Sequence, residues 1–130
     1  MTAQSILIVE DEGLIALHIT EILENEGYRI IGPVCSGTDA LRLIRHSQNI
    51  DLILMDIQLP GPIDGIETAR RVKLHCLIPL IFITAHNSER MIRRMKEVHP
   101  DGIIYKPFDE KKVLTLIAET IDNHAGKILM

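Results

Sequence analysis

The sequence predicts an α/β chain in which five parallel strands alternate with five helices. Three observations carry this. The stretches over 6–9, 52–55 and 79–83 are apolar from end to end, the pattern of strands buried on both faces rather than on one. The segments between them space their apolar residues at helical period. Each apolar run also ends in a polar residue able to do chemistry: Glu10, Asp56 and Thr84. In open α/β sheets the carboxyl ends of the strands are where ligands bind, so Asp56, closing the most apolar run, is the first functional candidate.

The first strand, 5–9, leads directly into Glu10-Asp11-Glu12, which read alone is a solvated turn whose acids suit the start of a helix. A helix over 14–26 follows, with Leu14, Ile15, Leu17, Ile22 and Leu23 taken as its inner face, and Gly27 stops it. The second strand, 29–35, contains Gly32-Pro33; proline cannot donate to a ladder, which places this strand at a sheet edge. Ser36-Gly37-Thr38 opens a short helix with Ala40, Leu41, Leu43 and Ile44 inward and Arg42 and Arg45 outward. The third strand ends at Asp56 and runs into the loop Gln58-Leu-Pro-Gly-Pro-Ile-Asp-Gly65, dense in turn residues.

A third helix, 66–75, turns Ile66, Ala69 and Val72 inward, and the fourth strand ends in the hydroxyl of Thr84. Asn87 or Ser88 caps a fourth helix, whose Met91, Ile92, Met95 and Val98 share one face. Outside that stripe the helix is basic, with Arg90, Arg93, Arg94 and Lys96: a solvated face, or else a surface for an acidic partner or a second copy. The turn His99-Pro100-Asp101-Gly102 leads to a fifth strand ending at Tyr105, then Lys106-Pro107. Asp109 caps a last helix with Val113, Leu114, Leu116, Ile117 and Ile121 inward. One domain over 1–122 is expected, with a short tail over 123–130 that shows no clear period. Alternation at this length points to the flavodoxin-like order 2-1-3-4-5, helices on both faces of the sheet.

A formal net charge of -4 gives no general electrostatic reason to seek a nucleic acid, and no apolar run is long enough to span a bilayer. Cys35 and Cys76 have neither metal spacing nor the number for a disulfide framework, and are expected as reduced core or near-core thiols in the cytoplasm.

In the 2-1-3-4-5 order the third strand lies between the first and the fourth, so Glu10, Asp11, Asp56, Thr84 and Lys106 converge at one end of the sheet. Singly, Lys106 reads as a surface lysine and Thr84 as a strand-end hydroxyl bonded to backbone; the set reads differently. Three carboxylates held together raise one another's pKa unless a cation joins them. An oxygen-only set suits Mg²⁺, held mainly by Glu10 and Asp11, which leaves Asp56 as a nucleophile able to form an aspartyl phosphate. Lys106 then offers a point charge, and Thr84 a hydrogen bond, to the transferring phosphoryl oxygens.

With these residues in place the chain resembles the receiver domain of two-component response regulators. The matching pieces are Ile-Leu-Ile-Val-Glu10-Asp11-Glu12, Leu-Met-Asp56-Ile-Gln-Leu-Pro, Asp64-Gly65, Ile-Thr84-Ala85 and Tyr-Lys106-Pro107-Phe, over about residues 4–122. The resemblance implies that Asp56 accepts a phosphoryl group from a histidine kinase or phosphotransfer protein. It implies Mg²⁺ on Glu10, Asp11, Asp56 and the backbone carbonyl of Gln58, phosphoryl contacts from Thr84, the Ala85 backbone and Lys106, and a cis peptide between Lys106 and Pro107. It also implies a switching face formed by the fourth helix, fifth strand and fifth helix, through which the chain is a monomer or a weak dimer. Gln58 and His86 fall where the family tunes the lifetime of its phosphoryl group. His18, His46, His75, His99 and His124 read as ordinary surface or helix positions.

Two departures stand out. The switch aromatic usual in the family is replaced by Ile103, so that either Tyr105 substitutes for it or the switch works without a rotating ring, and the loop 60–65 is one residue longer than the common form. The rival readings are a pseudo-receiver that binds partners without phosphorylation, a phosphohydrolase of the haloacid dehalogenase type, and one domain of a longer protein. The second requires an Asp two residues past the nucleophile, where this chain has Gln58. The expected role is therefore a signalling phosphoacceptor acting by protein contact, not an enzyme in the ordinary sense.

Overall fold

The computed structural model describes residues 3–46 and 49–129. It contains strands β1 (Ser5–Val9), β2 (Arg29–Val34), β3 (Leu52–Asp56), β4 (Leu80–Thr84) and β5 (Gly102–Tyr105), and helices α1 (Gly13–Asn25), α2 (Gly37–His46), α3 (Gly65–His75), α4 (Glu89–Glu97) and α5 (Glu110–Leu129). The sheet is parallel with the order β2-β1-β3-β4-β5, as the alternation predicts.

β1, β3 and β4 are buried along their whole length because helices cover both faces of the sheet. On one side Leu7, Val9, Ile53, Met55, Leu80 and Phe82 pack with Ala40, Ala69, Val72 and Met95 of α2, α3 and α4. On the other, Ile6, Ile8, Leu52, Leu54, Ile81 and Ile83 pack with Ile19 and Leu23 of α1 and Val113, Ile117 and Ile121 of α5. The edge position of β2 holds as expected, and its register on β1 shifts between Leu7 and Val9, next to a cis Gly32–Pro33 peptide.

Three expectations need correction. Leu14 and Leu17 are 84% and 55% exposed, because the stripe of α1 that meets the sheet is Ala16, Ile19, Ile22 and Leu23. Cys35 is exposed, since it follows the end of an edge strand instead of entering the core; Cys76 is half-buried. The last helix also does not stop near 122 but continues to Leu129.

α4 is the least anchored helix: of its nine residues only Met95 is buried. Its N-cap is Ser88, whose hydroxyl accepts from the Met91 amide at 3.2 Å. Ser88→Ala is expected to cost about 1 kcal/mol, seen as faster amide exchange in α4 with β3 unaffected.

Candidate functional site

The register of the sheet assembles the site one residue at a time. Val9 pairs with Met55, so Glu10 emerges beside Asp56; Asp56 pairs with Ile83, so Thr84 emerges next along; Thr84 pairs with Tyr105, so Lys106 follows. Four side chains from four strands thus reach one end of the sheet.

Glu10, Asp56 and Thr84 are 1%, 4% and 0% exposed. Lys106 Nζ donates to Glu10 Oε1 at 2.8 Å and to Asp56 Oδ2 at 3.4 Å, so the lysine bridges the two buried carboxylates. The Glu12 amide donates to Glu10 Oε2 at 3.1 Å, and the Gln58 amide to Asp56 Oδ1 at 3.4 Å. Thr84 Oγ1 accepts from the His86 amide at 3.0 Å, which leaves its own hydroxyl proton available to a ligand. The Lys106–Pro107 peptide is cis.

Burial pushes the Asp56 carboxyl up to about 7, and the neighbouring Glu10 carboxylate adds to this; Lys106 and the Gln58 amide pull the other way without matching it. For Lys106, burial opposes its charge, but the hydrogen bond to Glu10 and the charges of Asp56 and Glu10 prevail and hold the ammonium above its ordinary range. The site is therefore short of positive charge: one ammonium serves two buried carboxylates.

Among the described residues no three His, Cys, Asp or Glu side chains are grouped so as to hold a metal ion. Asp11 is exposed, and Lys106 stands at the two buried carboxylates. The chemistry of the donors still fits a hard divalent cation, because Glu10, Asp11, Asp56 and the Gln58 carbonyl offer oxygen atoms only, and one ammonium serves the two buried carboxylates.

Above Asp56, Gln58 Oε1 and His86 Nε2 lie 2.7 Å apart, joining the loop after β3 to the loop after β4. The sequence marked both residues without foreseeing this contact. A second long-range link was not foreseen at all: Arg94 Nη2 of α4 donates to Oδ2 of Asp64, the N-cap of α3, at 2.9 Å. Partners 30 positions apart leave no periodic signal; only the adjacency of β3 and β4 could have suggested them. Ala85 is exposed beside the site. Tyr105 is 40% exposed at the end of β5, while Ile103 packs in the core on the α3 and α4 side.

Comparison with known proteins places these observations. Residues 6–118 match the response regulator receiver domain. The uncharacterized transcriptional regulatory protein YbdJ of Bacillus subtilis is 35% identical over 127 residues, covering 97% of this chain and 54% of that protein. The phyllosphere-induced regulator PhyR of Methylorubrum extorquens is 33% identical over 119 residues, covering 92% of this chain and 44% of that one. The chain thus spans about half the length of the curated relatives it matches.

Among solved structures, the signal receiver domain of a modulated diguanylate cyclase from Desulfovibrio desulfuricans superposes with a TM-score of 0.90 at 33% identity, over 97% of this chain and 99% of that one. The receiver domain of a sensor histidine kinase from Pseudomonas aeruginosa, with a magnesium ion in its active-site cleft, superposes with a TM-score of 0.84 at 27% identity, over 93% and 99%.

Proposed function

The chain belongs to the response regulator receiver family, and on that premise we propose that Asp56 is its phosphoacceptor, loaded with Mg²⁺ from a histidine kinase or a phosphotransfer protein. The observation that supports this most is the Lys106 bridge between two buried carboxylates, one of them raised to about 7, beside a buried threonine with a free hydroxyl proton. A structural ion pair needs no second buried acid, whereas phosphoryl transfer needs an anionic nucleophile in a cation-demanding site.

The ionised Asp56 Oδ attacks phosphorus and forms the P–O bond as the P–N bond of a donor phosphohistidine breaks, the electron pair staying on the imidazole nitrogen, which takes a proton from solvent. Glu10, Asp11, Asp56 and the Gln58 carbonyl would hold Mg²⁺, which supplies charge neutralisation to the phosphoryl oxygens. Lys106 transfers its attention from the carboxylate pair to a phosphoryl oxygen, and Thr84 donates its hydroxyl to another while still accepting from the His86 amide. The Ala85 backbone, following Thr84, lies within the same loop and completes the cradle. Movement of Thr84 and its loop biases the face of α4, β5 and α5, and Tyr105, at the rim of that face, takes the place of the usual switch aromatic.

Gln58 and His86, joined across the mouth of the site, set how readily water reaches the acyl phosphate. The chain works in the cytoplasm by protein contact, as a signalling module that assists its own phosphorylation and dephosphorylation, alone or as a weak dimer through the α4, β5 and α5 face. Among the described residues no helix is long and apolar enough to cross a membrane.

Intact mass after incubation with a small phosphodonor tests the reading. The expected result is a labile phosphoryl increment that requires Mg²⁺ and is absent in Asp56→Asn. An increment that survives in Asp56→Asn would remove Asp56 from the reaction. No increment with bound Mg²⁺, from either a small donor or a kinase, would leave a phosphorylation-independent binding module.

A further inference from the structure

Asp64 stands at a junction. Its Oδ1 caps α3 by accepting from the Glu67 amide at 2.8 Å, and its Oδ2 accepts from Arg94 of α4 at 2.9 Å. The next residue, Gly65, donates its amide to the Ile57 carbonyl at 2.7 Å, and its Cα lies so close to the Asp56 carbonyl that a Cβ would overlap it. One carboxylate therefore connects α4 to backbone that carries the phosphoacceptor. α4 is seated shallowly: Met95 is its one buried side chain, Met91 and Ile92 are half-buried against the core, and Arg94–Asp64 is its one ion pair to another element among the described residues. Arg90, Arg93 and Lys96 of the same helix are exposed, so position 94 is distinguished by its partner and not by its charge.

We propose that Arg94 is a positioning residue of the switch: its bond to Asp64 latches α4 in the unphosphorylated arrangement and ties the movement of α4 to the loop that follows Asp56. The proposal rests on the phosphoacceptor role of Asp56. By linkage, a latch that favours the unphosphorylated state weakens binding of anything that favours the other state, and its removal strengthens it by the same factor.

Beryllofluoride with Mg²⁺, which mimics a phosphoryl group on a carboxylate, provides the probe. Its affinity is measured for the wild type, Arg94→Gln, Asp64→Asn and the double variant. Asn caps a helix as well as Asp does, so Asp64→Asn removes the latch and keeps the α3 cap. The pair is about one-third exposed on each side, which sets the expected gain at about two- to fivefold for either single variant. The double variant should gain no more than either single one, and affinity for Mg²⁺ alone should not change.

Equal or weaker affinity in the single variants, or gains that multiply in the double, would overturn the latch. Failure of the wild type to bind the mimic would sink the phosphoacceptor reading and the coupling with it. Amide exchange separates the two cases: faster exchange in α4 on Arg94→Gln would show the tether standing without its coupling, and unchanged exchange would remove the tether as well.

Discussion

Asp56→Asn is expected to stabilise the metal-free protein at pH 8 by roughly 1–3 kcal/mol and to have almost no effect below pH 4. The carboxyl of Asp56 is raised from 3.8 to about 7, chiefly by burial and then by Glu10. Between those values the unfolded chain has released this proton while the folded chain retains it. The unfolded state then binds fewer protons, and stability falls as pH rises. The contribution of Asp56 is thus fully present below the unfolded value, is lost as pH climbs through about 7, and stays lost above it. An amide does not titrate, so the difference between variant and wild type should open over this window. Chemical denaturation at a series of pH values measures it. Saturating Mg²⁺ should close the gap at pH 8, because the cation stabilises the ionised carboxylate. A gap that ignores both pH and Mg²⁺ would show that Asp56 is not the strained acid of the site.

Gly65→Ala is expected to cost about 2–4 kcal/mol. The added Cβ would overlap the Asp56 carbonyl oxygen and sit 2.7 Å from the Ile57 Cα, and both neighbours are backbone held in or beside a central strand. A flexible side chain could swing away from such a contact. Here α3 must move off the sheet, or the end of β3 must bend, and either change displaces Asp56. Phosphoryl labelling should therefore fall even in molecules that remain folded. Gly61→Ala is the matched comparison: its Cβ would meet nothing within 4 Å, although its φ of +97° favours glycine. It should destabilise without displacing Asp56, and a loss of labelling equal to that of Gly65→Ala would argue against the steric explanation.

The strands were legible because a parallel strand covered on both faces is a continuous apolar run, and Ser5–Val9, Leu52–Asp56 and Leu80–Thr84 lie where those runs fall. Convergence of Glu10, Asp56, Thr84 and Lys106 was legible for the related reason that strand order and strand ends together locate them. α1 was harder. Its apolar residues occupy more of the circumference than the sheet covers, so period alone does not choose between Leu17 and Ala16, and side-chain size favours the wrong one. That Lys106 bonds Glu10 at 2.8 Å and Asp56 only at 3.4 Å was not legible either, since such preferences arise from backbone placement at the sub-ångström scale. Nor were the Gln58–His86 and Asp64–Arg94 contacts, which join segments that are distant in sequence and adjacent only once the sheet is built.

The shallow seating of α4 has a consequence for how such a chain can diversify. Met95 fixes the helix to the core, while Arg90, Arg93, Lys96 and Glu97 face solvent and support nothing beneath them. Substitution at those four positions changes what the surface displays at little cost to folding, and none of them touches the chemistry at the end of the sheet. On the proposed reading, recognition and reaction are thereby encoded at separate positions: duplicated copies of the chain can drift toward new partners while retaining the same acid, lysine and threonine.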